Sequence, residues 1–325
     1  MSPSAALHDP VFRAYAGITL GVLVIAGIVL LLLQFVFRME LGNVWKTYRS
    51  WLWLAPLAAL VIFAGRVPFI VGVTVVSLLG CKEFAQVSGL GRDRWMTGAA
   101  YAAILSAAFG SGPFFALGFI LLIPVLRNRK ASVVAGPGDP GRHETRPPAR
   151  PTGITDPGYN ELQRMSLGMI AFVYLGWMFG HLAFLANARN AYGYLCYVIF
   201  ATEVNDVAAF TFGKMFGRHP LRSEISPRKT WEGALGALAV SMALPWLLRF
   251  SFPFFGTWQL MLTGLIVGVG GQLGDLSLSV IKRDLGAKDW GAALPGHGGV
   301  LDRIDSLIFV APLFMQMAGY YYPLR

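Results

Sequence analysis

The segment Ala14–Phe37 runs for 24 residues without a charged side chain. About 20 consecutive apolar residues suffice for an α-helix to cross the hydrocarbon core of a bilayer. In lipid every backbone N–H and C=O has to pair internally, which restricts what such a run can become. The run is too long, and lacks the small-residue cleavage pattern, to read as a removable signal peptide. It is also one of many. Hydrophobic residues make up 55% of the chain and charged residues 14%, with mean hydropathy +0.56. Soluble domains carry about a quarter charged residues. The expectation is an all-α, polytopic helical integral membrane protein with about 8–10 transmembrane or re-entrant helices.

Hydrophobic runs set against breakers give candidate spans at 14–37, 50–64, 67–81, 95–110, 113–126, 165–186, 191–212, 232–250, 257–275 and 304–322. The second to fifth are short for full crossings. The cations are distributed unevenly about these spans. All but five of the 27 Lys and Arg fall in alternate loops, at 38–49, 82–94, 127–164, 213–231 and 276–303. Arg13, Arg66, Arg189, Arg249 and Arg325 lie at the opposite ends. The positive-inside rule assigns the cation-bearing loops to the cytoplasm and both termini to the other side. The net charge of +10 thereby follows from topology, and no nucleic-acid partner is expected.

Residues 127–164 differ in character. Gly136-Pro137-Gly138-Asp139-Pro140-Gly141 and Arg146-Pro147-Pro148-Ala149-Arg150-Pro151 cannot bury a core. They read as a flexible cytoplasmic linker, whose cations either set topology alone or attract anionic lipid headgroups. It divides an N-terminal transmembrane region, 1–126, from a C-terminal one, 165–325. Cys81 and Cys196 lie in apolar surroundings and read as packed thiols. The five histidines have no zinc-ligand spacing.

Polar residues concentrate in three places. Glu203 and Asp206 sit three apart within the seventh span, followed by Lys214. Carboxylates there cost several kcal/mol unless paired or metal-bound, so the pair reads as an interhelical contact or as a metal or substrate site. The segment Ile225-Ser226-Pro227-Arg228-Lys229-Thr230-Trp231-Glu232 sets two cations before a helix, which reads either as an anchor for the flanking span or as an anion site, with Ser226-Pro227 starting a turn and Thr230 or Ser226 as cap. The densest stretch holds Asp275, Lys282-Arg283, Lys288-Asp289, Pro295-Gly296-His297-Gly298-Gly299, and Asp302-Arg303 with Asp305. Acids of this kind hold hard cations, while cations and glycine-exposed N–H groups hold phosphates. His297 reads either as a substrate contact or as a turn-stabilising group. Together these residues point to metal-assisted phosphate chemistry at a membrane surface.

The order Ser279, Lys282-Arg283, Lys288-Asp289, Pro295-Gly296-His297-Gly298-Gly299, Asp302-Arg303, Asp305 resembles the signature of the phosphatidate cytidylyltransferases, or CDP-diacylglycerol synthases. The blocks Ile225-Ser226-Pro227 with Lys229-Thr230, and Asp206-Val207-Ala208-Ala209-Phe210 with Gly213-Lys214, resemble two further family blocks, although Phe210 stands where the family usually has Tyr. The resemblance is strong over 199–307. It implies transfer of a cytidylyl group from CTP to phosphatidic acid, giving CDP-diacylglycerol and pyrophosphate in phospholipid biosynthesis, with 165–325 as the catalytic region. It implies Mg²⁺ held by Asp275, Asp302 and Asp305, joined or oriented by Asp206, and leaves room for a second cation, monovalent included. Lys282, Arg283 and Lys288 would neutralise phosphate as catalytic groups, with His297 beside them. Lys214, Ser226, Lys229, Asp289, Gly298, Gly299 and Arg303 would contact substrate. Asp302 is expected to matter to turnover and not to folding. The implied setting is the plasma (inner) membrane, with active loops cytoplasmic, membrane lipids as neighbours and a homodimer as the family's assembly. The readings that compete are a CTP-dependent enzyme with another lipid acceptor, and a transporter lined by Glu203 and Asp206.

Overall fold

The computed structural model describes residues 1–35, 42–108, 161–291 and 298–322. The expected span 113–126, nearly all of the linker, and His297 lie outside the described residues. In chain order the elements are α1 (Pro3–His8), α2 (Pro10–Phe35), α3 (Gly42–Phe63), α4 (Arg66–Ser88), α5 (Arg94–Ala108) and α6 (Glu161–Ala171), which continues into a π-helical segment at Phe172–Met178. Then follow α7 (His181–Leu185), α8 (Ala191–Phe216), a hairpin of β1 (Pro220–Arg222) and β2 (Ser226–Thr230), α9 (Trp231–Leu247), α10 (Thr257–Asp284) and α11 (Leu301–Tyr321).

The protein is an all-α membrane protein, with one small exception among the described residues, the two-stranded hairpin. Five described segments are long and apolar enough to cross a membrane: Pro10–Phe35, Arg66–Ser88, Gln163–Leu185, Ala191–Phe216 and Thr257–Asp284. α2 is the most exposed, with 6% of its apolar window buried. Leu20, Ile25, Leu32 and Phe35 project from the bundle, as suits a helix whose solvent is lipid.

Several boundaries differ from the sequence expectation, for a common reason. The spans expected at 50–64 and 67–81 belong to helices of 22 and 23 residues. Lys46 and Arg49 interrupt hydropathy in α3, as Lys82 does in α4, yet unbranched charged side chains propagate a helix well. Likewise α10 does not stop at Asp275. It continues to Asp284, with Lys282 and Arg283 in its last turn, where cations complement the helix dipole. The chain leaves the helix at Gly286, whose φ of +71° favours glycine. Ser226-Pro227 does not begin a turn. Ser226 pairs with Arg222 across the hairpin, and Pro227 lies on a two-stranded sheet, where a missing N–H is tolerated. Thr230 alone caps α9, its side chain accepting the Gly233 N–H at 3.2 Å.

α8 to α11 form the inner bundle, and glycines set its spacing. A Cβ on Gly264 would lie 2.7 Å from Met242 Cα of α9, and one on Gly274 would lie 3.1 Å from Ser306 Cα of α11. Backbones approach this closely only when no side chain intervenes. Cys81 and Cys196 are buried free thiols.

The loops segregate to two ends. At one end the Ser2 carbonyl accepts from the Tyr192 hydroxyl at 2.9 Å, Asn190 donates to the Ser251 carbonyl at 2.8 Å, and Tyr322 donates to the Phe254 carbonyl at 2.8 Å. Tyr194, Tyr197, Phe252, Phe255 and Phe314 close this end, with centroids 4.7 Å apart for Tyr197–Phe252 and 4.6 Å for Phe252–Phe255. At the other end α4 meets the start of α11, and the hairpin meets α10. The functional candidates lie there.

Candidate functional site

Three helices each bring an aspartate to this end. Asp206 comes from α8, Asp275 from α10 and Asp305 from the first turns of α11. Asp206 lies within electrostatic range of Asp275, and Asp305 within range of both. Close approach of α10 and α11 at Gly274 makes this possible, since the glycine lies against the backbone of Asp305 and Ser306. The Ser306 hydroxyl donates to both oxygens of Asp206, at 3.1 and 3.2 Å. The Ser306 N–H donates to Asp305 at 2.8 Å. Among the described residues these acids do not close into a group of three at metal-ligand distances.

Counter-charges surround them. Lys229, at the end of β2, sets its Nζ 2.5 Å from Asp275 Oδ2. This is a charge contact and not a well-directed hydrogen bond, because among the described residues the buried ammonium has no hydrogen-bond acceptor of good geometry. Ser279, one turn along α10, donates to Asp275 Oδ1 at 3.2 Å. Arg303 lies within electrostatic range of both Glu203 and Asp206, and among the described residues its buried Nε has no hydrogen-bond partner.

Asp302 stands apart from the other three. Its Oδ1 accepts from Lys282 Nζ at 2.6 Å. Its Oδ2 accepts the backbone N–H groups of Trp290 at 3.1 Å and Gly299 at 3.0 Å. The extension of α10 to Asp284 is what carries Lys282 to this partner. A side chain that joins α10, the loop and α11 has a structural part in the fold, where the sequence reading expected folding to be indifferent to Asp302. Arg283 likewise ties elements together, donating to the Ile225 carbonyl of the hairpin at 3.0 Å and to the Ala287 carbonyl at 3.1 Å.

Other candidates are positioned less tightly. Lys214, at the C-terminal end of α8, is exposed, as are Lys288 and Asp289 beyond α10. Ser226 is half-buried in β2. Gly298 takes a φ of +81°, and a Cβ there would lie 2.9 Å from Asp302 Oδ2. The glycine thus allows the turn and the carboxylate to coexist.

Two residues at this end escaped the sequence reading. Glu83, on α4, is buried and accepts the backbone N–H groups of Val300 and Leu301, each at 2.9 Å. Its signal was an acid among the apolar residues of 67–88, obscured by the assignment of 82–94 to a loop. Ser306 was missed as well, being a small hydroxyl among many.

The arrangement is a set of carboxylates with interspersed ammonium and guanidinium groups at one end of a membrane bundle. It can gather cations and phosphates together. Comparison with known proteins agrees in kind. The sequence profile of the cytidylyltransferase family matches residues 45–321. The uncharacterized protein YnbB of Escherichia coli (strain K12) is 30% identical over 289 residues, which cover 86% of this chain and 88% of that protein. The phosphatidate cytidylyltransferases of Staphylococcus haemolyticus (strain JCSC1435) and Staphylococcus aureus (strain COL) are 41% identical over 145 residues and 42% identical over 145 residues. Each of those matches covers 44% of this chain, which spans about half, 54%, of either enzyme's own length. With the profile covering most of its residues, the chain belongs to the cytidylyltransferase family.

Proposed function

We propose that this protein transfers the cytidylyl group of CTP to phosphatidic acid at the cytoplasmic face of the plasma (inner) membrane, forming CDP-diacylglycerol and pyrophosphate. The observation that carries the reading is the gathering of Asp206, Asp275 and Asp305 from three helices, with Lys229 and Lys282 beside them. The names of the staphylococcal relatives support the acceptor.

In this reading an oxygen of the lipid phosphate forms a bond to the α-phosphorus of CTP. The bond from that phosphorus to the bridging oxygen breaks, and pyrophosphate departs with the electron pair. A phosphate monoester has a second pKa of about 6, so the nucleophile is already ionised near neutral pH. No strong general base is needed. The difficulty is the mutual repulsion of two polyanions, and the catalytic task is neutralisation and alignment.

The donor set suits a hard cation. Asp206, Asp275 and Asp305 offer carboxylate oxygens and no soft ligand, which fits Mg²⁺, an ion that keeps several waters and borrows phosphate oxygens. One or two of Asp206, Asp275 and Asp305, which do not close into a trio at ligand distances among the described residues, would hold it together with phosphate oxygens and water, and it would supply positive charge against the CTP phosphates. Asp302 contributes by fixing Lys282 toward the phosphate site. Lys229 and Lys282 neutralise phosphate oxygens when substrate competes for their present carboxylate partners. Arg283 orients the hairpin that carries Lys229. The exposed Lys214 and Lys288 attract CTP from the aqueous side. The lipid enters between helices, keeping its tails in hydrocarbon.

The test is purified protein in mixed micelles with phosphatidic acid, CTP and Mg²⁺, followed by pyrophosphate release and CDP-lipid formation. Failure to convert CTP with phosphatidic acid would overturn the proposed acceptor. A second reading, the same transfer to a different phosphate-bearing lipid, stands beside it because the match that covers 86% of the chain is to YnbB, whose name states no substrate, whereas those to the phosphatidate enzymes cover 44%. A panel of acceptor lipids in the same assay separates the two.

A further inference from the structure

We infer that Glu83 of α4 is a positioning residue for the active end, a buried carboxylate that fixes the start of α11 from the N-terminal half of the chain. The inference rests on the proposed cytidylyl transfer for its kinetic consequence but not for its structural one.

α11 begins at Val300–Leu301 with no side chain of its own capping it. The first N–H groups of a helix lack internal partners and need acceptors. Glu83 supplies them from 217 and 218 residues away, one carboxylate oxygen to each of Val300 and Leu301. The negative charge also faces the positive end of the helix dipole. The carboxylate sits in a cradle made by two glycines. A Cβ on Gly291 would lie 2.9 Å from Glu83 Oε1, and one on Gly299 would lie 2.5 Å from Oε2. One side chain thus lies against both Gly291, just beyond Trp290, and Gly299, just before α11.

The neighbouring residues of α4 reinforce this contact. Phe84 stacks on Trp290 with ring centroids 5.3 Å apart. Gly80 leaves room for the fully buried Leu301, whose Cδ1 lies 3.6 Å from where a Cβ would be. Gly80, Glu83 and Phe84 are spaced i, i+3 and i+4, one face of a helix. What they fix is the turn from which Asp302, Asp305 and Ser306 project. Asp302 lies one residue beyond the last N–H that Glu83 holds, and Asp305 one helical turn beyond that. A shift of about 1 Å at reacting groups costs on the order of 10²-fold in rate.

The test compares Glu83→Gln, Glu83→Asp and the exposed neighbour Lys82→Gln with wild type in lipid micelles. Steady-state kinetics give kcat and KM for CTP, and hydrogen exchange is read over 298–306. Glutamine keeps the size but loses the charge and one acceptor oxygen. We expect Glu83→Gln to stay folded, with kcat lowered about 10- to 100-fold, KM within about 3-fold, and exchange over 298–306 at least about 10-fold faster while α8 to α10 are unchanged. Glu83→Asp should fall between it and wild type, and Lys82→Gln should match wild type. If Glu83→Gln does not fold, Glu83→Asp carries the same comparison. Wild-type kcat and exchange in both Glu83 variants would overturn the inference. So would faster exchange spread evenly over all helices, with normal turnover per folded molecule. Should wild type itself convert no CTP, the proposed reaction falls, while the exchange comparison still decides the clamp.

Discussion

Consider replacing Asp302 by Asn, and Lys282 by Met, singly and together. Lys282 Nζ and Asp302 Oδ1 lie 2.6 Å apart, and the two side chains are 11% and 10% exposed. Solvent screening is therefore slight. Breaking a buried ion pair by removing one partner costs about 3–5 kcal/mol, since the survivor is left charged and dry. In Asp302→Asn the amide oxygen can still accept from Trp290 and Gly299, but its NH₂ faces the Lys282 ammonium, donor to donor. We expect a loss of about 3 kcal/mol, the low end of that range. In Lys282→Met the carboxylate keeps two N–H donors, so the loss is nearer about 2 kcal/mol. The double variant leaves no orphaned charge and should lose only about 2–3 kcal/mol. The coupling is then about 2–3 kcal/mol, well above the roughly 0.5 kcal/mol within which independent sites add. Reversible unfolding of all four proteins in mixed micelles measures it. Single costs that simply add would refute the view that these side chains form a dry, mutually dependent pair. Turnover gives a second reading. The double variant should be no less stable than Asp302→Asn alone, yet remain inactive, because the ammonium is gone.

Three further expectations follow from the same geometry. Gly274→Val should separate α10 from α11 and cost at least about 2 kcal/mol, because its Cβ would meet the backbone of Asp305 and Ser306; chymotrypsin susceptibility and loss of turnover check this. Asp206→Asn and Asp275→Asn should each raise the Mg²⁺ concentration for half-maximal turnover by about 10-fold or more, while an unchanged midpoint would remove that residue from the proposed cation site. Tyr15→Phe removes a 2.8 Å hydrogen bond to the fully buried Ser251 and should cost about 1–2 kcal/mol, with turnover per folded molecule unchanged because the pair lies at the far end of the bundle.

Much of this molecule was legible in its sequence, and the exceptions are instructive. Hydropathy located the membrane helices because bilayer thickness leaves few alternatives for long uncharged runs. Charge counts sorted the loops into two sets, and the contacts of Glu83 with Leu301 and of Lys229 with Asp275 gather members of one set at a single end. Helix ends were misread where hydropathy and helix propensity disagree, as at Lys282 and Arg283, which are polar and fully helical. The hairpin at 220–230 left little trace, since its short strands carry no alternating apolar pattern. The site residues stood out as acids and cations in an apolar chain. Which aspartates share a space did not, because Asp302 and Asp305 look equivalent by spacing. Their difference arises from Lys282 and from the Trp290 and Gly299 N–H groups, long-range partners that no local pattern encodes. Glu83 was hidden for the same reason.

The packed rings of Tyr194, Tyr197, Phe252, Phe255 and Phe314 bear on how the acids are held. Centroids 4.6 and 4.7 Å apart mean rings in van der Waals contact, too tight to admit a file of water. Among the described residues, the three aspartates of α8, α10 and α11 therefore stand over a dry aromatic layer that seals these helices to one another at the opposite end. A substitution that loosens those rings would reach the acids only by shifting whole helices, so the two ends can be perturbed separately.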